Sequence, residues 1–323
     1  MANQPPRRQE TYQPSRRQWL RRLAVRRRDK VGLVFSGGGP LAALQVGALK
    51  ALFTHGVRPD LSVGTSAGAL NATWIAFDPT DNGIDYLEST WRELKEGDLF
   101  PGGRFKASWA RMLVRGNRVF ENSGIKKLVE RTLGSDARFE DALIPLAVTA
   151  TELDSGAERV FTSGPLLAPL LASSAMPGIF PPIEIDGTLY IDGGVADNVP
   201  MAPAVAMGAQ ILYVMDSTSH SHQRRPLNRP IDYLLHAFSL ARSQRLGLDV
   251  ARLGEKVRIV MLPSPTLDFF VPFASMEHTE RLIAMSYEAT SRFLEGRTDV
   301  VERELAEGAV EVIEPAKAPA SSE

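Results

Sequence analysis

The stretch LSVGTSAGALNATW, residues 61–74, places Ser66 between two glycines directly after a short apolar run. The run LSVG is typical of a buried strand, and AGALNATWIAF after the serine has apolar residues at helical spacing. A strand, a tight glycine turn and a helix form the setting of the G-x-S-x-G nucleophile elbow, in which the serine hydroxyl projects from the edge of a sheet. On this stretch alone two interpretations stay open. Ser66 is a nucleophile, or it is a polar residue in a glycine-rich loop.

Strands and helices alternate from Val31 onwards, and this alternation predicts the fold class. VGLVF is a wholly apolar strand, and PLAALQVGALKALFTHG after it carries apolar residues at helical spacing up to Gly56. Continuous apolar strands joined by helices are typical of an α/β fold, with a mostly parallel sheet flanked by helices on both faces. The further predicted elements are the strands PLAVTATEL, ERVFTSG, TLYIDGG, AQILYVMDS and VRIVML and helices over 166–174, about 231–253 and about 276–295.

The predicted organisation is one α/β domain with a helical insertion. Residues 82–135 carry no strand pattern and are predicted to be mostly helical, with a Pro-Gly-Gly turn at 101–103. We interpret this insertion as part of the fold, and the alternative is a lid or specificity cap over the site. The domain is expected to span residues 31–315, between a disordered arm over 1–30 and a disordered tail over 316–323.

Charge is unevenly distributed along the chain. The net charge is −1 over 323 residues, but residues 1–30 contain ten Lys/Arg against two acidic residues, so the remainder is acidic. A basic arm suits an anionic partner, and both a membrane surface and nucleic acid fit that description. The alternative is a disordered, solubilising terminus. Ser15-Arg16-Arg17 resembles a twin-arginine export signal, but basic residues follow where an apolar stretch is required.

The sequence lacks cysteine and lacks a long apolar run, and each absence excludes a class of structure. The chain has no cysteine, which excludes disulfides, thiolate catalysis and cysteine-ligated metals. No apolar run reaches the roughly 18 residues of a membrane span. We therefore expect neither a signal peptide nor a transmembrane helix, and a cytoplasmic protein that is at most peripheral to a membrane.

A glycine run, Ser36-Gly37-Gly38-Gly39-Pro40, lies between the first strand and the first helix. Backbone N–H groups in such a run can bind an anion, which fits an oxyanion hole. The same residues also fit the dinucleotide fingerprint G-x-G-x-x-G/A. That interpretation requires an acidic residue at the end of the second strand, where this chain has the serine elbow instead.

Asp192 is the candidate acid, because it ends the strand TLYID and precedes two glycines. An aspartate at the carboxyl end of a strand lies where α/β active sites form, and the alternative is an Asp-Gly turn. A Ser-His-Asp triad also needs a histidine, but each histidine has a loop or helix setting with no distinguishing feature. A carboxylate can act as the base directly if it lies within hydrogen-bond reach of the serine. The histidines considered are His55, His220, His222, His236 and His278.

Four blocks in order resemble the patatin-like phospholipases over about residues 31–215. They are GLVFSGGGPLAALQVGAL, VGTSAGALNA, ASSAMPGIFPPIEIDG and YIDGGVADNVP. The resemblance implies a three-layer α/β/α fold and hydrolysis of lipid acyl esters by a Ser–Asp dyad, without histidine, metal or cofactor. By resemblance, Ser66 is the nucleophile and Asp192 the base, while Gly37, Gly38 and Gly39 line the oxyanion hole.

The resemblance also implies a phospholipid or lysophospholipid substrate. With such a substrate, the basic arm suits an anionic membrane surface, and no nucleic acid is expected. One departure from the family pattern bears on activity. Leu41 and Ala42 occupy positions where the family usually has Arg or Lys followed by Gly. Because of this departure, a catalytically weak or inactive membrane-binding relative stays open as an alternative function. A dinucleotide-binding protein stays open as well, on the pattern of the glycine run.

Overall fold

The alternating strands and helices form a mixed β-sheet with helices packed on it. The structure, a computed structural model, describes residues 29–100, 120–218, 230–272, 275–296 and 312–313. The predicted arm up to residue 28, the turn at 101–103 and the tail lie outside these ranges. The described strands are β1 (Val31–Phe35), β2 (Leu61–Thr65), β3 (Leu146–Glu152), β4 (Glu158–Phe161), β5 (Ile183–Ile185), β6 (Thr188–Asp192), β7 (Ile211–Met215), β8 (Arg258–Met261) and β9 (Val312–Ile313).

Helices connect most of these strands, and short 3₁₀ turns cover Gly39–Ala42, Phe139–Asp141 and Gly193–Val195. Within the described ranges, no helix combines the length and the apolar character needed to cross a membrane. The helices are α1 (Ala43–Thr54), α2 (Ala67–Phe77), α3 (Asp81–Glu93), α4 (Glu96–Leu99), α5 (Ser123–Leu133), α6 (Leu167–Ser173), α7 (Met201–Ala206), α8 (Pro230–Leu253) and α9 (Thr279–Glu295).

The strand order is β5-β6-β3-β2-β1-β7-β8-β9, with β4 also paired to β3. The pairs from β3 through β2, β1, β7 and β8 to β9 are parallel. The pairs β3–β4, β3–β6 and β5–β6 are antiparallel. The predicted mostly parallel sheet is therefore confirmed, with an antiparallel edge at one end.

Both faces of the sheet are covered, as the wholly apolar sequence of β1 requires. Side chains alternate between the two faces of a strand, so Leu33 and Phe35 belong to one apolar cluster and Val34 to another. The first cluster is completed by α1, α2 and α9 and by the insertion, and the second by α7 and the end of α8. Each fully buried Leu or Phe of this kind contributes roughly 1.5–3 kcal/mol to stability.

Close packing of α1 on α9 depends on Gly47. A Cβ at this position would overlap the backbone carbonyl of Ile283 on α9. Because glycine has no side chain, the two helix backbones approach directly and hold α1 against the sheet. The glycine run that precedes α1 is thereby fixed at the edge of the sheet.

The insertion is helical, as its sequence predicts, where it is described. Helices α3, α4 and α5 lie within it or at its border, and its residues 101–119 fall outside the described ranges. Thr80 caps α3 by accepting a hydrogen bond from the Gly83 N–H at 3.3 Å. Trp91, Phe100 and Leu128 bury their side chains in the first apolar cluster, so the insertion is an integral part of the core.

Candidate active site

Strand register brings the two predicted catalytic residues to one edge of the sheet. Thr65, the last residue of β2, pairs with Thr149 of β3. The next residue of β3, Ala150, pairs with Asp192, the last residue of β6. Strand β4 occupies the opposite side of this part of β3, so β2 and β6 lie on the same side, and their carboxyl ends, with Ser66 and Asp192, meet there.

The placement of Asp192 differs in one respect from the sequence prediction. Asp192 was expected at the carboxyl end of a strand and is the last residue of β6, but this strand runs antiparallel to β3 within the mostly parallel sheet. Its final residue reaches the active edge because β6 begins beyond Glu152, near the end of β3, and stops at Ala150. The short length of β6, rather than parallel pairing, positions the carboxylate.

Ser66 has a strained backbone, with φ of 55° and ψ of −128°. A non-glycine residue in such a region costs on the order of 1–3 kcal/mol and persists only when its surroundings fix it. The Ser66 N–H donates to the Ser173 hydroxyl at 2.8 Å, which ties the turn to the end of α6. This conformation directs the side chain of Ser66 outward between β2 and α2.

The flanking glycines serve close packing rather than an unusual turn conformation. A Cβ on Gly64 would overlap the backbone of Gly68, and a Cβ on Gly68 would overlap the backbone of Ser36. Neither glycine has positive φ, so the strained position in the turn is Ser66 itself. The strand, turn and helix predicted around G-x-S-x-G are present. The two glycines are needed because α2 packs closely against the ends of β1 and β2.

A short hydrogen bond joins the two predicted catalytic side chains. The Ser66 hydroxyl donates to Oδ2 of Asp192 at 2.6 Å, and the Gly194 N–H donates to Oδ1 at 2.8 Å. Thr151 also holds the Asp192 backbone, since its hydroxyl donates to the Asp192 carbonyl at 2.9 Å. Asp192 is only 3% exposed, so both carboxylate oxygens are oriented by partners within the protein.

Burial controls the acid–base properties of Asp192. Burial raises the pKa of this carboxyl above its usual value, whereas the Arg242 guanidinium, the Ser66 hydroxyl and the Gly194 amide act in the opposite direction. A carboxylate with a raised pKa is a stronger base once it is ionised. The site thus combines a base of increased strength with a hydroxyl already hydrogen-bonded to it.

The glycine run contributes backbone N–H groups, but not all three that the sequence predicts. The Gly37 N–H donates to the Asn198 carbonyl at 3.1 Å and is therefore occupied. No hydrogen bond within the described part of the chain engages the N–H groups of Gly38 and Gly39. Side chains are excluded here as well, because a Cβ on Gly37 would lie 2.7 Å from Oδ1 of Asn198. The two available donors belong to Gly38 and Gly39.

A buried polar network lies beneath the glycine run. The Gln45 amide donates to the Ser36 carbonyl at 2.7 Å and to the Ser217 hydroxyl at 3.0 Å. Asn71 donates to Oε1 of Gln45 at 2.9 Å and accepts a hydrogen bond from the Trp91 indole at 2.7 Å. The network links the insertion to the loop that precedes Gly37, so the loop position depends on residues from three helices and from the loop after β7.

A cavity of about 200 Å³ opens onto Ser66 and Asp192. Glycines and polar groups line the end near the serine, where Thr218 and Arg242 also lie. The other end is apolar, and the insertion supplies much of it. Its apolar lining residues are Leu70, Trp74, Trp91, Leu94, Leu99, Phe100, Ile125, Leu128, Met176, Phe180 and Met276.

Three of the five histidines considered lie among the described residues. His55 follows the last residue of α1, and its Nδ1 lies at hydrogen-bond distance, 2.9 Å, from the Ala51 carbonyl oxygen. The ring of His278 packs against the ring of Phe269. His236 is exposed on α8, while His220 and His222 lie outside the described residues. None of the described histidines lines the cavity.

Sequence reasoning did not single out several residues that complete the site. Ser173 and Asn198 lie within blocks whose resemblance was recognised, but no local pattern assigns a contact to either residue. Arg242 lies in the middle of a long helix with no motif around it. Leu41, at the position where the family usually has a basic residue, is half-buried and packs against the first apolar cluster.

Comparison with known proteins identifies the family. A family model described as patatin-like phospholipase matches residues 33–205, which is more than half of the chain. The chain belongs to the patatin-like phospholipase family.

Individual relatives share the family domain with this chain. The patatin-like phospholipase domain-containing protein ZK370.4 of Caenorhabditis elegans is 31% identical over 221 residues, 64% of this chain and 15% of that protein. The lysophospholipase NTE1 of Mycosarcoma maydis is 29% identical over 189 residues, 58% of this chain and 10% of that protein. The matched region is therefore a small part of these relatives. Among solved structures, VipD from Legionella pneumophila aligns with a TM-score of 0.44 and 14% identity, over 83% of this chain and 67% of that chain.

Proposed function

We propose that this protein hydrolyses acyl esters of lipids through a Ser66–Asp192 dyad. The observation that carries the proposal is the 2.6 Å hydrogen bond from the Ser66 hydroxyl to the Asp192 carboxylate, at the mouth of an apolar cavity. A base within hydrogen-bond reach of a hydroxyl is the arrangement that activates a serine nucleophile. Membership of the patatin-like phospholipase family supports the same chemistry.

The first step forms an acyl-enzyme. Asp192 accepts the Ser66 proton as Oγ attacks the ester carbonyl carbon, and the carbonyl oxygen becomes an oxyanion. The N–H groups of Gly38 and Gly39 donate to this oxyanion, and loss of one such donor typically costs about 3–4 kcal/mol. Collapse of the tetrahedral intermediate breaks the bond to the alcohol oxygen, which takes the proton from Asp192.

The second step releases the acid. Asp192, ionised again, accepts a proton from a water molecule as that water attacks the acyl carbon. The same two N–H groups stabilise the second oxyanion. The intermediate then breaks its bond to Oγ, and Asp192 returns the proton to Ser66. The products are a fatty acid and the alcohol portion of the lipid.

The cavity supports a lipid as the substrate. Its apolar end is lined by Leu, Ile, Met, Phe and Trp side chains, which favour a hydrocarbon chain over a polar group. The acyl carbonyl would then lie beside Ser66, with the chain extending towards the insertion. The names of the relatives, phospholipase and lysophospholipase, point to phospholipid or lysophospholipid.

We also propose that the protein associates with the surface of a membrane. The basic arm carries ten Lys/Arg in its 30 residues, and the proposed substrate resides in membranes. Basic segments near an anionic surface gain roughly 1 kcal/mol per Lys or Arg, so an arm of this charge suffices for reversible docking.

Ester hydrolysis by matched variants tests the proposed function. We expect the purified chain to hydrolyse a p-nitrophenyl acyl ester, Ser66→Ala to lose that activity, and Asp192→Asn to lose roughly 10²–10⁴-fold in kcat. Ser89→Ala and Asp85→Asn change the same residue types on the exposed face of α3 and should retain full activity. Wild-type activity in Ser66→Ala would refute the proposal.

A further inference from the structure

Arg242, from the middle of α8, reaches the candidate site from outside the family blocks. It lines the cavity together with Ser66 and Asp192. Its Nε–H donates to the Gly194 carbonyl at 2.9 Å, a contact between residues 48 positions apart. The guanidinium thus holds the turn that follows Asp192.

The contact continues directly to the reacting atoms. The Gly194 N–H donates to Oδ1 of Asp192, and Oδ2 of the same carboxylate accepts the Ser66 hydroxyl. A Cβ on Gly194 would overlap the tip of the Arg242 guanidinium, so the arginine lies directly against this turn. Displacement of Arg242 would free the peptide whose N–H orients the carboxylate.

Arg242 also brings a positive charge to a buried acid. Of the groups that oppose the effect of burial on the pKa of Asp192, the Arg242 charge is the largest. Arg242 is itself half-buried, and burial lowers its pKa, while the carboxylates of Asp192 and Asp216 act in the opposite direction. Because an arginine guanidinium remains protonated in proteins near neutral pH, Arg242 keeps its positive charge near two carboxylates, one of them the proposed base.

We propose that Arg242 is a positioning residue that orients the Asp192–Gly194 turn and keeps the Asp192 carboxylate ionised for proton transfer from Ser66. This inference rests on the proposed function. It accounts for how a carboxylate with so little exposure acts as a base near neutral pH. The rival role is direct binding of an anionic lipid headgroup, and the two roles affect different kinetic constants.

The experiment uses Arg242→Gln, Arg242→Lys and the control Arg252→Gln, which removes an exposed charge from the last turn of α8. The readout is the pH dependence of kcat with an uncharged p-nitrophenyl ester. In Arg242→Gln we expect the acid limb to move up by about 1–3 pH units, the range over which one neighbouring opposite charge changes a carboxyl pKa. Removal of the positive charge makes ionisation of Asp192 harder, so activity appears only at higher pH.

Arg242→Lys separates charge from orientation. Lysine keeps the positive charge but lacks the Nε–H that holds Gly194, so we expect an acid limb close to wild type. Its kcat should fall roughly tenfold to a hundredfold, the scale of a misplaced catalytic group. KM for the uncharged ester should not change in either variant, and Arg252→Gln should match wild type throughout.

Three results would overturn the inference. One is an acid limb in Arg242→Gln that coincides with wild type. Another is an effect confined to KM for phospholipid, which would assign Arg242 to headgroup binding. If Arg242→Gln does not fold, Arg242→Lys decides the question, and a shift of one pH unit or more despite the retained charge contradicts the proposal. A wild-type chain without esterase activity would instead refute the proposed function itself.

Discussion

The hydroxyl of Ser66 and the carboxylate of Asp192, 126 positions apart in the chain, meet at 2.6 Å where β2 and β6 end side by side against β3. The two residues arrive by different routes. Ser66 is held by a strained turn after a parallel strand, and Asp192 ends a short antiparallel strand. Their contact depends on the register of both β2 and β6 along β3, so the proposed chemistry requires the intact sheet.

Gly38→Ala tests the proposed oxyanion donors. A Cβ at this position would collide with the Ser217 side chain, so the glycine run must shift and its N–H groups lose their alignment. We expect kcat to fall roughly 10²–10³-fold, the loss seen when one oxyanion donor is removed, with little change in KM. Gly97→Ala is the control, because a Cβ there meets open space. Unchanged kcat in Gly38→Ala would rule out this loop as the oxyanion hole.

Leu128→Phe tests whether the apolar end of the cavity holds the acyl chain. Leu128 lines the cavity and belongs to α5 of the insertion, so a larger ring would shorten the available space. We expect the ratio of kcat/KM for long-chain to short-chain p-nitrophenyl esters to fall at least several-fold. Overpacking costs typically 1–3 kcal/mol, so Tm is measured in parallel. An unchanged ratio in a folded variant would place the acyl chain elsewhere.

Glu158→Gln should remove a pH-dependent loss of stability. Burial raises the pKa of the Glu158 carboxyl from a usual 4.5 to about 7, and the negative charge of Asp197 acts in the same direction. The folded state therefore binds this proton more tightly than the unfolded state. The resulting stabilisation is complete below pH 4.5 and is lost as the pH rises through 7.

The measurement is urea unfolding of wild type and Glu158→Gln at pH 5 and pH 8. The free energy of unfolding of the variant minus that of wild type should be about 1–3 kcal/mol more positive at pH 8 than at pH 5. Glu255→Gln, a substitution of an exposed residue, controls for the change in net charge. If variant and wild type differ in free energy of unfolding by the same amount at both pH values, Glu158 does not have the raised pKa.

Vesicle sedimentation tests the proposed role of the basic arm. We expect binding to rise with the fraction of anionic lipid and to weaken between low salt and about 0.5 M salt, because charge interactions are screened. Replacing Arg16, Arg17, Arg21 and Arg22 with glutamine should weaken binding to anionic vesicles and leave hydrolysis of a water-soluble ester unchanged. Binding that is insensitive to both lipid charge and salt would exclude electrostatic docking.

Local sequence patterns predicted the parts of the fold that local physics determines. The apolar runs of β1 and β2 and the helical spacing of α2 place these elements within a residue of their observed bounds. The short strands β5 and β9 and the six-residue helix α7 were not predicted. Elements of two to six residues carry too few alternations for a period to be recognised, and pairing with distant strands decides them.

The candidate site was predictable where a motif specifies it. Ser66 and Asp192 follow from the blocks around them, and the structure brings the two together. Gly37 was expected to donate its N–H, but Asn198, 161 positions away, occupies that group and itself donates to the Gly37 carbonyl. Arg242 had no local signal, because its role depends on where a long helix packs. Contacts of this kind depend on tertiary structure and leave no periodic pattern in the chain.

Covalent labelling with a fluorophosphonate, followed by peptide mass spectrometry, tests the central claim most directly. We expect a single adduct on Ser66 and labelling at least a hundredfold slower in Asp192→Asn, since the reagent reacts only with an activated hydroxyl. An adduct on a different serine, or equal labelling rates in the wild type and Asp192→Asn, would contradict the account.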